Sequence, residues 1–214
     1  MDLAKLLPIL FEGLEVTLQI FALTLILSIP LGVIVALLKM SKIKIVSWVT
    51  GVYILIMRGT PLMLQILFIY FAPYFLFRAQ TPDRFNAVII AFAINYAAYF
   101  AEIFRGGIQS MPIGQYEAAD ALGYTKAQTF LRIILPQVVK RVLPSVANEV
   151  ITLIKDTSLA QVIAVTELFA LANKQATGTS SVIPLFVAGV FYFVLNWILT
   201  KLFDYIEKKL DYYK

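Results

Sequence analysis

The sequence predicts an all-α fold: an integral membrane helical bundle of five transmembrane helices, with a short amphipathic excursion between the third and the fourth. Three observations carry that expectation. Hydrophobic residues make up 60% of the 214-residue chain, charged residues only 14%, and the mean hydropathy is +0.83, whereas a soluble domain is about half apolar and a quarter charged. Uncharged runs of membrane-crossing length recur along the chain, and the basic residues between them favour one side.

Composition also removes several kinds of chemistry. Without cysteine the chain has no disulfide, thiolate nucleophile or zinc–sulfur site, and without histidine it lacks the commonest general base and transition-metal ligand. The net charge of +5 is accounted for by loop lysines and arginines that orient membrane spans, so no nucleic-acid partner is expected. The N-terminal segment has no basic leader and carries Glu12 and Glu15. It therefore reads as a retained span, not a signal peptide.

A helix needs about 20 mostly apolar residues to cross the hydrocarbon core. The first span is expected over about 13–39, around the uncharged run Thr17–Leu38. The second covers 49–77, with Gly59–Phe77 uncharged and Val49–Met57 extending it past Arg58. The third covers 85–110 and the fourth 138–166, the latter interrupted by Glu149, Lys155 and Asp156. The fifth covers 183–206, where Pro184 suits a first helical turn. No repeat or soluble appendage stands out, so residues 1–214 are read as one membrane domain.

Five spans place the termini on opposite sides. One side then collects Lys39, Lys42, Lys44, Lys126, Arg132, Lys140, Arg141, Lys201, Lys208, Lys209 and Lys214, with Arg58 and Arg105 close by. The other holds Lys5, Arg78, Arg84 and Lys174. The positive-inside bias predicts an outside N-terminus and a cytoplasmic C-terminus. It also puts the polar stretch 112–136 in the cytoplasm.

That stretch reads as an elbow of two short helices. The first, Gln115–Leu122, ends at Gly123, a residue suited to the left-handed conformation that closes helices. Thr125 and Gln128 then match a capping box, and Leu135-Pro136 is expected to break the second helix before the chain re-enters the membrane. Ala118, Ala119 and Ala121 keep the first arm slim, so another backbone or a groove can approach closely. On physical grounds alone, such an elbow equally suits an interfacial connector lying on the bilayer.

Glu117-Ala118-Ala119, Gly123 after three intervening residues, and Ile133-x-Leu135-Pro136 after nine more resemble the EAA motif of ABC importer membrane subunits. Arg58-Gly59-Thr60-Pro61-Leu62 with Gln65, Ala101-Glu102-Ile103-Phe104-Arg105-Gly106-Gly107, and Lys155-Asp156-Thr157-Ser158-Leu159 are similar to the polar amino acid permease branch, the histidine/glutamine/arginine type. The resemblance implies a type I importer subunit whose elbow is a cytoplasmic coupling helix. Glu117, Ala118, Ala119 and Gly123 would then contact the ATPase. The implied partners are two cytoplasmic ABC ATPase subunits, a second membrane subunit (a second copy of this chain or a paralogue), an extracytoplasmic amino acid binding protein, and the lipid of a bacterial-type inner membrane. ATP and Mg would reside on the ATPase. This chain has no G-x-x-x-x-G-K-[ST] and is expected to bind no cofactor and catalyse no reaction.

Ionised side chains at bilayer depth cost at least about 2.5–3.5 kcal/mol unless paired or hydrated, so those in the spans should face protein or a cavity. At 100° per residue Glu149, Thr152 and Asp156 share a stripe of the fourth helix, and Lys155 points away. Asn95, Tyr99 and Glu102 align on the third, Arg58, Leu62 and Gln65 on the second, and Thr17, Thr24 and Ser28 on the first. Asn95, Tyr99, Glu149, Thr152 and Asp156 are the expected substrate contacts, with the carboxylates favouring a basic amino acid. Glu102 and Arg105 read as a structural pair, Arg58 as a snorkelling side chain, and the first-helix hydroxyls as helix–helix glue. The rival reading is an ion-coupled secondary amino acid transporter or channel subunit, with helix breaks at Pro30, Pro61 or Pro144.

Overall fold

The computed structural model describes residues 3–210 and is helical throughout, with no strand among the described residues. Lys214, counted above among the cytoplasmic charges, lies outside them. Helix α1 runs Leu3–Lys39, α2 Lys44–Gly59, α3 Leu62–Phe77, α4 Arg84–Gln109 and α5 Ile113–Ala121. A single turn, α6 (Lys126–Gln128), leads through a π-helical stretch, Thr129–Ile134, into α7, Leu135–Asp156. A 3₁₀ stretch, Thr157–Ile163, precedes α8 (Leu168–Thr179) and α9 (Ile183–Leu210).

Helix α4 is the centre of the bundle. In its most apolar window 67% of residues are buried, against 11% for α9. Alanines and glycine permit this: a Cβ on Gly32 of α1 would come within 2.8 Å of the Phe100 side chain on α4. Thr24 and Ser28 lie on the same buried stripe of α1. Their hydroxyls have no hydrogen-bond partner, so they pack as small side chains and do not act as polar glue.

Helices α1, α4 and α9 are each long and apolar enough to cross a membrane, and α2 with α3 qualifies jointly as a bent pair. Helix α7 packs against α4 and α9 as a further bundle helix, and its charged face keeps it outside that hydropathy class. Helix α1 begins at Leu3, ten residues before the expected start of the first span. Its extra turns bury Leu6 and Leu10 against Leu168, Ala172 and Ala188 of α8 and α9. Helix α9 runs from Ile183 to Leu210, and Pro184 occupies its first turn.

Three sequence expectations are corrected. The second span is not one helix: α2 and α3 meet at 109° across Thr60 and Pro61. Pro61 supplies no N–H and forces Thr60 into an extended conformation, φ −122° and ψ 149°. The supposed stripe of Arg58, Leu62 and Gln65 is therefore split between two axes. The fourth span does not run to 166, because α7 gives way at Thr157 to the 3₁₀ turn, which ends at Ala164 in the left-handed region with φ 60°. Pro136 does not break its helix. The π turn shifts the register beforehand, so that Leu135 N–H bonds Phe130 O and the helix absorbs the missing donor. Pro30 and Pro144 also lie inside continuous helices.

Candidate substrate pathway and coupling elbow

The bend between α2 and α3 leaves carbonyls that need donors, and two amides supply them. Gln65 folds back so that its Nε2 donates to Met57 O at 3.0 Å, Thr60 O at 3.2 Å and Thr60 Oγ1 at 2.8 Å. From α4, Asn95 Nδ2 donates to Met57 O and to Gln65 Oε1, each at 2.9 Å. Asn95 is only 4% exposed. It thus serves as a clamp on the bend, and its amide N–H groups are directed into protein. The break is tolerable in a membrane protein because its backbone is satisfied internally.

The clamp fixes the last turn of α2 beside a cleft of about 510 Å³, lined by Lys39, Gly51, Ile54, Leu55, Arg58, Gly59, Tyr99 and Glu102. The Arg58 guanidinium carbon stands 5.2 Å from the centre of the Tyr99 ring, within cation–π range. Glu102 is held bidentately by Arg105, at 2.9 Å to Nε and 2.7 Å to Nη2. That pair has the structural geometry expected of it.

On the adjoining side of α4, Tyr96 donates its hydroxyl to Asp156 Oδ2 at 2.7 Å. Glu149 and Asp156 are half-buried, whereas Thr152 and Lys155 are exposed. Of the five expected contacts, only Tyr99 lines the cleft itself. Glu149 is nevertheless within Coulombic reach of both Arg58 and Tyr96. The Tyr96 and Tyr99 rings lie 6.2 Å apart, Tyr96 buried and bonded to Asp156 and Tyr99 beneath Arg58. Tyr96 was not singled out from sequence, because nothing in its neighbourhood distinguishes it from an aromatic packing residue.

Glu167 was also missed. It is fully buried, with Oε2 accepting from Phe169 N–H and Oε1 from Ala170 N–H, both at 2.7 Å, and Tyr192 donating to Oε2 at 3.0 Å. Leu168 N–H donates to Thr17 Oγ1 at 3.2 Å. A buried carboxylate therefore caps α8 and, together with Thr17, ties it to α1 and α9.

The first arm and the turn after it fold as the sequence suggests, whereas the second arm is no separate helix and runs on through the π stretch into α7. Gly123, at φ 76°, closes α5. Its N–H bonds Asp120 O at 2.9 Å and Tyr124 N–H bonds Ala119 O at 3.0 Å, the paired bonds of a Schellman cap. Thr125 and Gln128 complete both bonds of the capping box. Glu117, Ala118 and Gly123 are exposed, while Ala119 is buried. The second arm packs Ile134 in one cluster with Ile103, Phe104 and Ile108 of α4, and α7 is bonded both to the first arm and to α4. Gln137 of α7 donates to Gln115 of α5, Arg141 of α7 donates to Ser110 O at the end of α4 at 2.6 Å, and Gly107 of α4 receives the Val142 side chain.

A lipid-spanning bundle with a bent, internally clamped helix pair, a charged cleft and a rigid projecting elbow has the form of a transporter's membrane component. Residues 28–212 match the family described as binding-protein-dependent transport system inner membrane component, and the chain belongs to it. It is 37% identical over 204 residues to the arginine transport system permease protein ArtQ of Bacillus subtilis, covering 95% of this chain and 93% of the relative. The L-cystine transport system permease protein TcyB of the same organism is 39% identical over 210 residues, covering 96% and 88%. Among solved structures, an amino acid ABC transporter crystallised with histidines superposes with a TM-score of 0.89 at 36% identity, covering 98% of this chain and 99% of that one. The chain is thus an amino acid ABC transporter permease subunit of the inner membrane, and the ion-coupled alternative is set aside.

Proposed function

We propose that this subunit forms the translocation pathway of an ATP-driven importer for polar, basic amino acids, and works by alternating access. The observation that carries the reading is the acidic wall of α7, where Glu149 and Asp156 stand half-buried beside the aromatic pair of α4. In a low-dielectric pathway such carboxylates favour a guanidinium or ammonium partner. Tyr99 offers a face to an aliphatic stem, Thr152 a hydroxyl at the pathway rim, and Asn95 shapes the wall by holding the bend. The names of relatives that carry arginine and cystine support an amino acid cargo.

The energy would come from two ABC ATPase subunits that bind ATP and Mg and receive the exposed face of the elbow through Glu117, Ala118 and Gly123, with Ala119 bracing the arm from inside. Motion of the elbow would pass to α7 through Gln115–Gln137, and from α7 to the end of α4 through Arg141–Ser110. A second membrane subunit, taken as a second copy of this chain, completes the pathway, and an extracytoplasmic binding protein delivers cargo. The N-terminus faces outward and the C-terminus the cytoplasm, as the charge bias requires.

The test is uptake of arginine and lysine by the reconstituted complex carrying Glu149→Gln or Asp156→Asn. Loss of one charge-assisted contact, about 1.5–3 kcal/mol, raises KM about 10- to 150-fold. Unchanged transport in both variants would refute the acidic wall as a substrate contact.

A further inference from the structure

The charged cleft contains a cation whose bonding is incomplete. Arg58 ends α2, and its backbone is fixed by the Gln65–Asn95 clamp one residue away at Met57. Its nearest carboxylate, Glu102, already has both oxygens engaged by Arg105, so Arg58 reaches it only at 3.7 Å. The Arg58 side chain remains 43% exposed and opens on the cleft. A guanidinium has five N–H donors and no acceptor, in a planar fork that matches a carboxylate. Only a small part of that capacity is used, while the Tyr99 ring supports the group from one side. Lys39, the other cation in the cleft, differs in that its ammonium donates to Ser47 O at 3.3 Å.

We propose that Arg58 binds the carboxylate of the transported amino acid, making the pathway selective for a zwitterionic head and not for a cationic side chain alone. The inference rests on the reading above, that the cleft carries an amino acid. Its content is the opposite pole: Glu149 and Asp156 take the side-chain cation, Arg58 takes the carboxylate, and the Tyr96–Tyr99 pair lies between. It also gives the clamp a purpose, since Gln65 and Asn95 position Arg58 without touching cargo.

The test is binding of arginine and of agmatine, which is arginine without its carboxylate, to the purified membrane complex in lipid nanodiscs with the binding protein left out. The wild type should bind arginine about tenfold or more tighter than agmatine, the yield of one charge-assisted pair. Arg58→Gln should weaken arginine to the agmatine level and leave agmatine unchanged, and Arg58→Lys, which keeps the charge but loses the fork, should fall between. A loss of fold alone would weaken both ligands in parallel. The proposal is overturned if the wild type does not discriminate, or if Arg58→Gln keeps the wild-type ratio; should that variant fail to assemble, Arg58→Lys keeping the ratio overturns it equally. Those outcomes leave arginine binding, and so the parent reading, in place. A wild type that binds no arginine overturns both.

Discussion

Replacing Glu167 by alanine tests the buried cap most directly. The change leaves two N–H groups in the first turn of α8, those of Phe169 and Ala170, and the Tyr192 hydroxyl without the oxygens they now share at 2.7–3.0 Å. Each buried donor so stranded costs about 1–3 kcal/mol. The variant is also relieved of a desolvated carboxylate, which offsets part of that loss. Breaking one side of a buried charged arrangement typically nets about 3–5 kcal/mol. We therefore expect local opening of α8 to become easier by about 3 kcal/mol, or a hundredfold or more in the opening equilibrium. Glu167→Gln retains one carbonyl oxygen and should show roughly half the free-energy change on the same scale. Hydrogen–deuterium exchange of the complex in nanodiscs, followed on peptides covering residues 168–172, reads this directly. Exchange there within twofold of wild type in Glu167→Ala would refute the argument that the carboxylate holds α8.

Gly13 should tolerate no side chain, because a Cβ there would approach Leu168 Cα to 2.8 Å and Leu168 N to 2.9 Å, both backbone atoms. Gly13→Ala is expected to cost about 1–3 kcal/mol, visible as a lower thermal midpoint of the purified complex; an unchanged midpoint would mean that α1 and α8 part without penalty. At Gly123 space is open and the obstacle is the backbone alone, φ 76°. Gly123→Val should cost about 1–2 kcal/mol and impair coupling of ATP hydrolysis to uptake, and Gly123→Asn should restore most of it because Asn tolerates the left-handed region. Equal coupling in the two variants would count against a conformational role for this glycine.

What was legible in the sequence was what depends on neighbours in the chain. The Thr125–Gln128 box and the Gly123 stop each involve residues within a few positions of one another, and both folded as read. The Glu102–Arg105 pair is likewise separated by one helical turn. The angular stripes held only in part on continuous helices: on α4 Tyr99 and Glu102 line the cleft, whereas Asn95 clamps the bend. They failed at Thr60–Pro61, where proline chemistry bent the axis by 109°. Proline alone did not decide the matter, since Pro136 and Pro144 remain inside helical backbone while Pro61 does not. The difference lies in what satisfies the freed groups: a π turn just before Pro136, and at Pro61 side-chain donors from Gln65 and from Asn95 on another helix. Glu167 was missed although its bonds to Phe169 and Ala170 are local, because Glu is not among the preferred N-cap residues; its burial depends on Tyr192, 25 positions away.

The same accounting separates the polar residues of the bundle into two kinds. Glu167 accepts three hydrogen bonds, Gln65 bonds Met57, Thr60 and Asn95, and Asn95 spends its amide hydrogens on Met57 and Gln65. Buried groups with their bonding met stabilise one conformation, and a passing solute has little to offer them. Arg58 and Glu149 contrast with these. Arg58 is partly exposed and makes one long contact with a carboxylate already engaged elsewhere, and Glu149 is half-buried within Coulombic reach of it. A charge left under-bonded is costly where water is scarce, and under the proposal above a cargo carrying both signs relieves that cost at both poles while it is bound. The expense of burying these groups thus becomes selectivity, provided the bound state is brief enough to release. Under the alternating access proposed above, release would follow if elbow motion, passed to α7 through Gln115–Gln137, draws Glu149 away from Tyr99 and Arg58 as the cleft opens.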